Sequence, residues 1–387
     1  MRIFATANSM PSLLIEGLIG HREGALHYGN VSLTRRGRSQ IPRFPFVVNN
    51  PKLLKSVRFW VFGGLFFCMG EKTSVCFWKN LSDNRTAIMG MSMISIILFH
   101  QHFISVFPCG IFHRCGYWGV DVFLLLSGMG VFSSYQAHSL STFYQRRFMR
   151  IIPSCLACGM IKCMMRIIIE GPESLSHIGI SELFCMDLWF VRAIIFYYAI
   201  SPVIIVAIKK NASITIMLIA VIYLINGLFF RTHDALSFTW IVERVFVFSL
   251  GILLASKQEL VNHTATSLSS VSFCLAFCFA LITEHALIIS SQALNTLLMF
   301  AVAIGTVGLL QIGNIIIKHA PLFIIRVLVF CGKLSLEIYL VHEYLFFIVM
   351  EKIKINNSPL AFLLSISLAL AIAFICKSFI NKMKTLK

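Results

Sequence analysis

A chain of 387 residues with 58% hydrophobic and 13% charged residues, and a positive mean hydropathy, has too little polar surface to enclose a water-soluble core of its size. That excludes a soluble globular enzyme and points to a polytopic membrane protein, with 35 Phe supplying lipid-facing and inter-helix surface. The apolar runs are continuous over about 20 residues, which argues against a β-barrel, whose strands alternate over about 10.

The chain opens on a segment set apart from the rest, residues 1–84. It holds eleven Lys and Arg against four acids, the stretch "NVSLTRRGRSQIPRFPFVVNN" and an apolar run, "VRFWVFGGLFF", too short to cross a bilayer comfortably. Basic residues precede that run for tens of positions and no small-x-small cleavage site follows, so it lacks the order of a secretory signal. An interfacial helix, a cytoplasmic arm and sequence upstream of the true start all fit it, and no function is assigned to it. The transmembrane domain is expected over 85–387.

Ten helices are predicted there, near 87–107, 116–135, 151–169, 187–208, 212–229, 238–255, 268–283, 290–312, 327–349 and 359–379. The connectors carry turn punctuation, as in "KKNAS" and "NNSP". Basic residues resist translocation, so orientation follows from loop charge. With the first span starting inside, the inner loops and tail hold twelve Lys and Arg, and the outer loops only Arg114, Arg231, Lys352 and Lys354. The expected fold is an all-α integral membrane protein of about ten transmembrane helices with both termini cytoplasmic. Such a rim accounts for much of the formal +17 and outranks nucleic-acid binding. The 12 cysteines fall mostly in or beside spans, where Cys is a small apolar residue. "CLAC" at Cys155 and Cys158 lacks the strand-turn context of a redox motif, and Cys109 and Cys115 could pair on an oxidising face.

The first span, "MSMISIILFHQHF", places His100 roughly 20 Å into a hydrocarbon layer of about 30 Å. An ionisable ring there needs a polar partner or a wet cavity and is a functional candidate; an interhelical hydrogen bond serving only packing is the alternative. In "GYWGVDVFLLLSGMGVF", Asp121 and Ser127 lie in the outer and middle parts of the second span, and Asp121 could orient a neighbouring histidine. Gly119, Gly128 and Gly130 permit close helix approach. "FYQRRFMRIIP" puts Arg146, Arg147 and Arg150 before Pro153, which suits a helix start. Arg147 and Arg150 share a face there and could clamp a phosphate, or simply serve topology. In "DLWFVRAIIFYY", Trp189 is an interface anchor and Arg192 lies one turn deeper. Glu243 and Arg244 sit near the outer end of "FTWIVERVFVF". In "GKLSLEIYLVHEYLF", Ser335, Tyr339 and His342 follow at i, i+4 and i+7 along one stripe. Polar groups from five helices thus fall at similar depth, with an arginine pair at the opposite side.

"LFH", "GYWGVDVFLLLSG", "RRFMRIIP", "LWF" and "GKLSLEIYLVH" occur in the order seen in the membrane-bound acyltransferase family 3, which the chain resembles over roughly residues 85–380. The resemblance implies an essential histidine at His100 for transfer of an acyl group, usually acetyl from acetyl-CoA, to a carbohydrate hydroxyl. It also implies donor binding by Arg147 and Arg150. The family's basic residue eleven positions before the histidine would fall on Met89; Arg85 lies one further turn back. A histidine titrating near neutrality suits removal of a hydroxyl proton, and no metal-ligand cluster is evident.

The expected function is an O-acetyltransferase of the bacterial inner membrane acting on a cell-surface or exported polysaccharide. No cofactor is expected to be resident. Acetyl-CoA or another acyl-CoA is the expected co-substrate, with membrane lipid, a carbohydrate acceptor and glycan assembly machinery as partners and no nucleic acid. Catalysis falls on His100 and Asp121, donor binding on Arg147 and Arg150, and the cavity lining on Ser127, Trp189, Arg192, Glu243, Tyr339 and His342. His100 as general base and as covalent acyl carrier both remain open. A secondary transporter or flippase would use the same intramembrane charges, although no internal repeat is apparent, and a non-catalytic membrane subunit would keep the fold without the chemistry.

Overall fold

The computed structural model describes residues 74–100, 116–230, 238–261, 263–286, 292–349 and 358–385. The run at 57–67, His102, and Cys109 with Cys115 lie outside the described residues. Within them every regular element is helical: α1 (Ser74–His100), α2 (Trp118–Ala137), α3 (Leu140–Glu170), the short α4 (Ile180–Leu183), α5 (Trp189–Lys210), α6 (Ala212–Ile225), α7 (Phe238–Ser256), α8 (His263–Ala286), α9 (Gln292–His319), α10 (Leu322–Lys333), α11 (Ser335–Phe347) and α12 (Ser358–Thr385). Seven stretches among them are long and apolar enough to cross a membrane: α2, α3, α5, α6 with the π-helical turn Asn226–Phe230 that continues it, α7, α9 and α12.

Three helices depart from expectation, each for a physical reason. α1 starts at Ser74 rather than near 87, so the boundary read at residue 85 falls inside a continuous helix. Phe77, Leu81 and Ile88 recur at helical spacing and are buried, while Lys79, Ser82 and Asp83 face outward. An amphipathic stretch of this kind is helical without being uniformly apolar. α3 starts at Leu140, because Ser139 caps it by accepting from the Thr142 amide at 3.5 Å. Pro153 is therefore inside the helix, not at its start. Its missing N–H costs one backbone bond, a loss that helices packed in a bundle absorb. The ninth predicted span is two helices, α10 and α11, separated at Leu334. α10 lies flush on α1, where a side chain on Gly90 would strike the Leu328 carbonyl and one on Gly332 the Thr86 carbonyl. α11 packs instead against α12, α3 and α1.

α2 is the inner helix, with neighbours α1, α7, α9, α5 and α3. Of its apolar window 61% is buried, against 17% for the stretch containing α6, which exposes Ile214, Met217, Leu218, Val221 and Ile222. Lipid tails are as apolar as Leu, so helices in a bilayer associate through close packing and polar contacts. Gly128 and Gly251 provide the first on α2 and α7, each backbone lying where the other's side chain would go. Glu337 provides the second, accepting from Ser154 Oγ of α3 at 2.7 Å and from Lys377 Nζ of α12 at 2.9 Å, and thereby joining three helices.

Candidate active site

α1 carries His100 as its last residue and Arg85 within its length, and the surrounding helices build a site on each. At its last residue, His100 Nδ1 lies 3.0 Å from the Ile96 carbonyl oxygen and 3.1 Å from Nε2 of His342 on α11. His342 is buried, and its own Nδ1 sits 3.2 and 2.9 Å from the carbonyl oxygens of Ile338 and Tyr339. The rings meet edge to face with centroids 4.9 Å apart. Glu343, next to His342 in sequence, holds its carboxylate 4.0 Å from His100 Nε2. On the i+4, i+7 stripe, the Tyr339 ring lies 5.6 Å from the His342 ring and packs on Phe190 of α5 at 4.9 Å. Ser335, the first residue of the stripe, is buried.

A second cluster lies against the first turns of α2, α5 and α7. Arg244 Nε sits 3.1 Å from Asp121 Oδ1 in an ion pair buried on both sides, a charge contact without hydrogen-bond alignment. The guanidinium also faces the rings of Tyr117 at 5.2 Å and Trp189 at 5.9 Å, and Trp189 contacts Trp240. The structure thus brings Asp121 to Arg244, and it is His342 that meets the His100 ring. The physical reason is the arginine: a buried guanidinium requires a counter-charge, and Asp121 supplies it. Glu243 is buried beside Arg244, Arg192 is half-buried one turn past Trp189, and Ser127 is half-buried nearly two turns along α2 from Asp121.

Within α1, nearer its middle, Arg85 joins Arg146, Arg147 and Arg150 of α3 around a cavity of about 440 Å³ that also takes in Ser133 and Ser134. Arg85 Nη2 donates to the Leu126 carbonyl at 3.2 Å, and Arg147 Nη2 donates to the Gly130 carbonyl. Gly130 lies beside both guanidinium groups, at a distance where a Cβ would meet them in ordinary van der Waals contact. Arg147 is also held over the rings of Phe143 and Tyr198. Because α3 begins at Leu140, these arginines lie in its second and third turns rather than on its exposed N-terminal amides. Any anion here is bound by side chains.

Sequence reasoning passed over two features near the histidines. Lys162, inside the apolar run of α3, is buried and pairs with Asp187 at 2.8 Å, its ammonium 5.7 Å from the Tyr344 ring. A lysine within an apolar run was itself the signal. Glu343 carried none, since its importance depends only on which helix end it reaches.

Residues 87–377 match a family described as an acyltransferase domain, the acyltransferase-3 family. No curated protein and no solved structure matches the chain. The matched stretch contains His100, His342, Arg147 and Arg150 and begins two residues after Arg85. With most of its length in that one match, and with apolar helices able to cross a membrane, this chain belongs to the acyltransferase-3 family.

Proposed function

We propose that the chain is an integral membrane O-acyltransferase that moves acetyl from acetyl-CoA to a hydroxyl of a cell-surface or exported polysaccharide. In this proposal it crosses a bacterial inner membrane with about ten helices and keeps both termini in the cytoplasm. The observation that carries it is the division of labour along α1. Arg85 and His100 are 15 residues apart, about 22 Å at 1.5 Å per residue. Four arginines gathered around Arg85 suit the phosphates of a nucleotide-bearing donor. A histidine pair at the last residue of α1 suits proton transfer from a hydroxyl, which is a poor nucleophile until its proton is taken.

The acceptor hydroxyl gives its proton to His100 as its oxygen attacks the thioester carbonyl carbon. The carbon–sulfur bond then breaks, and the departing thiolate takes the proton back from His100, leaving an ester and free CoA. Glu343, 4.0 Å from His100 Nε2, offsets the positive charge the ring carries in between. Purified full-length protein in micelles, given labelled acetyl-CoA and glycan extracted from a host lacking the gene, should transfer label into the glycan. His100→Ala should not. Wild-type labelling by a well-folded His100→Ala protein would overturn the assignment.

A further inference from the structure

We infer that His342 is a positioning residue that fixes His100 as the Nδ1–H tautomer, so that Nε2, the nitrogen nearer Glu343, is the reactive one. The inference rests on the assignment of His100 proposed above and deepens it.

Four distances carry it. Carbonyl oxygens only accept hydrogen bonds, and His342 Nδ1 lies 3.2 and 2.9 Å from two of them, those of Ile338 and Tyr339. That nitrogen must therefore bear the hydrogen. A neutral His342 then presents only a lone pair at Nε2, which faces His100 Nδ1 at 3.1 Å. His100 Nδ1 must donate, and the Ile96 carbonyl oxygen 3.0 Å from the same nitrogen makes the same demand. The opposite assignment would set lone pair against lone pair at both Nδ1 atoms, one of them in a buried ring, where an unmade hydrogen bond is costly. These four contacts therefore select the same state, in which the ring's basic lone pair is on Nε2.

Imidazole here takes the part that a carboxylate takes in Ser-His-Asp sites, accepting Nδ1–H and holding the base in its working tautomer; in those sites the wrong tautomer costs about 10⁴ in kcat. The difference is charge. His342 orients without a formal charge of its own, so the imidazolium formed on His100 is offset from the Nε2 side, by Glu343.

Full-length protein labelled with ¹⁵N-histidine in detergent micelles, with His100→Gln used to identify the His100 signals, reads the tautomer directly. We expect a protonated Nδ1 and an unprotonated Nε2 in the wild type at alkaline pH. His342→Gln, whose amide oxygen can accept near the same place, should preserve that pattern, and His342→Leu should give a mixture. With labelled acetyl-CoA and extracted host glycan, His342→Leu should lower kcat on the order of 10²-fold or more with little change in the donor KM. His342→Gln should recover most of the loss. A protonated Nε2 in the wild type, or a His100 signal unmoved by His342→Leu, would overturn the proposal. So would equal losses of kcat in the Gln and Leu variants with the tautomer kept, which would make His342 a packing residue. If His342→Leu does not fold, the wild-type and His342→Gln spectra decide. Failure of the underlying assignment shows separately, as unimpaired transfer by His100→Ala whatever the ring spectrum.

Discussion

Arg147 and Arg150 stand one turn apart on α3 yet meet different surroundings. Arg147 is buried, bonded to Gly130 and enclosed by Phe143 and Tyr198, whereas Arg150 is exposed at the cavity rim. Arg150→Ala should therefore raise the donor KM about tenfold or more, the equivalent of at least about 1.5 kcal/mol for one charge-assisted bond, while folding normally. Lys should rescue it only partly, since it lacks the guanidinium fork. Arg147→Ala should lower both donor affinity and folded yield. Steady-state kinetics at saturating acceptor, beside a thermal melt in micelles, separates the two; an unchanged donor KM for Arg150→Ala would return that residue to topology. Asp121 belongs with the buried pairs. Removing it strands Arg244, a loss of about 3–5 kcal/mol, so Asp121→Ala should melt far lower while the folded fraction keeps its kcat, and Asp121→Leu with Arg244→Met should recover much of the stability. A fall in kcat at unchanged stability would instead give Asp121 a direct part in the chemistry. His100 was legible because an ionisable ring in an apolar run is conspicuous. Its partner was not, because the ring contact joins residues 242 positions apart, and at similar depth Asp121 and His342 were equally available.

At the scale of single helices, the inner spans were readable and their ends were not. α2, α5 and α7 lie within about two residues of the predicted positions because their apolar runs are bounded by polar residues on both sides. α1 and α3 run longer than their apolar parts. The first turns of α1 are amphipathic, and those of α3 depend on a serine cap, two signals that mean hydropathy does not register. The early turns of α1 are structural all the same. Phe77→Ala and Leu81→Ala should each destabilise by on the order of 2–4 kcal/mol, visible as a lower melting temperature; melting at the wild-type temperature would mean that the helix is not anchored there. The glycine contact between α2 and α7 is stricter still. Gly251→Val would drive a branched side chain into the Leu125 backbone, and we expect loss of folded protein in size-exclusion chromatography, whereas wild-type yield would show that the two helices can separate.

For the whole molecule, the ten-span topology proposed above would set Ser141, exposed at the start of α3, on the cytoplasmic side and Ser176, exposed in the segment after α3, on the outer side. In a cysteine-free background, a membrane-impermeant maleimide added to intact cells should label Ser176→Cys and spare Ser141→Cys until the membrane is opened. Labelling of position 141 in intact cells would invert the topology. The separation of the two sites has a consequence of its own. Arg85 and His100 are fixed on a single unbroken helix, so under the proposed function α1 would work as a ruler. A donor anchored by its phosphates would deliver its thioester to the histidine only if its flexible arm matched the span of about 22 Å. A short acetyl thioester without the nucleotide has nothing to anchor at the arginines, so it should be penalised in kcat as well as in KM, as happens when remote binding energy is needed to place the reacting atoms.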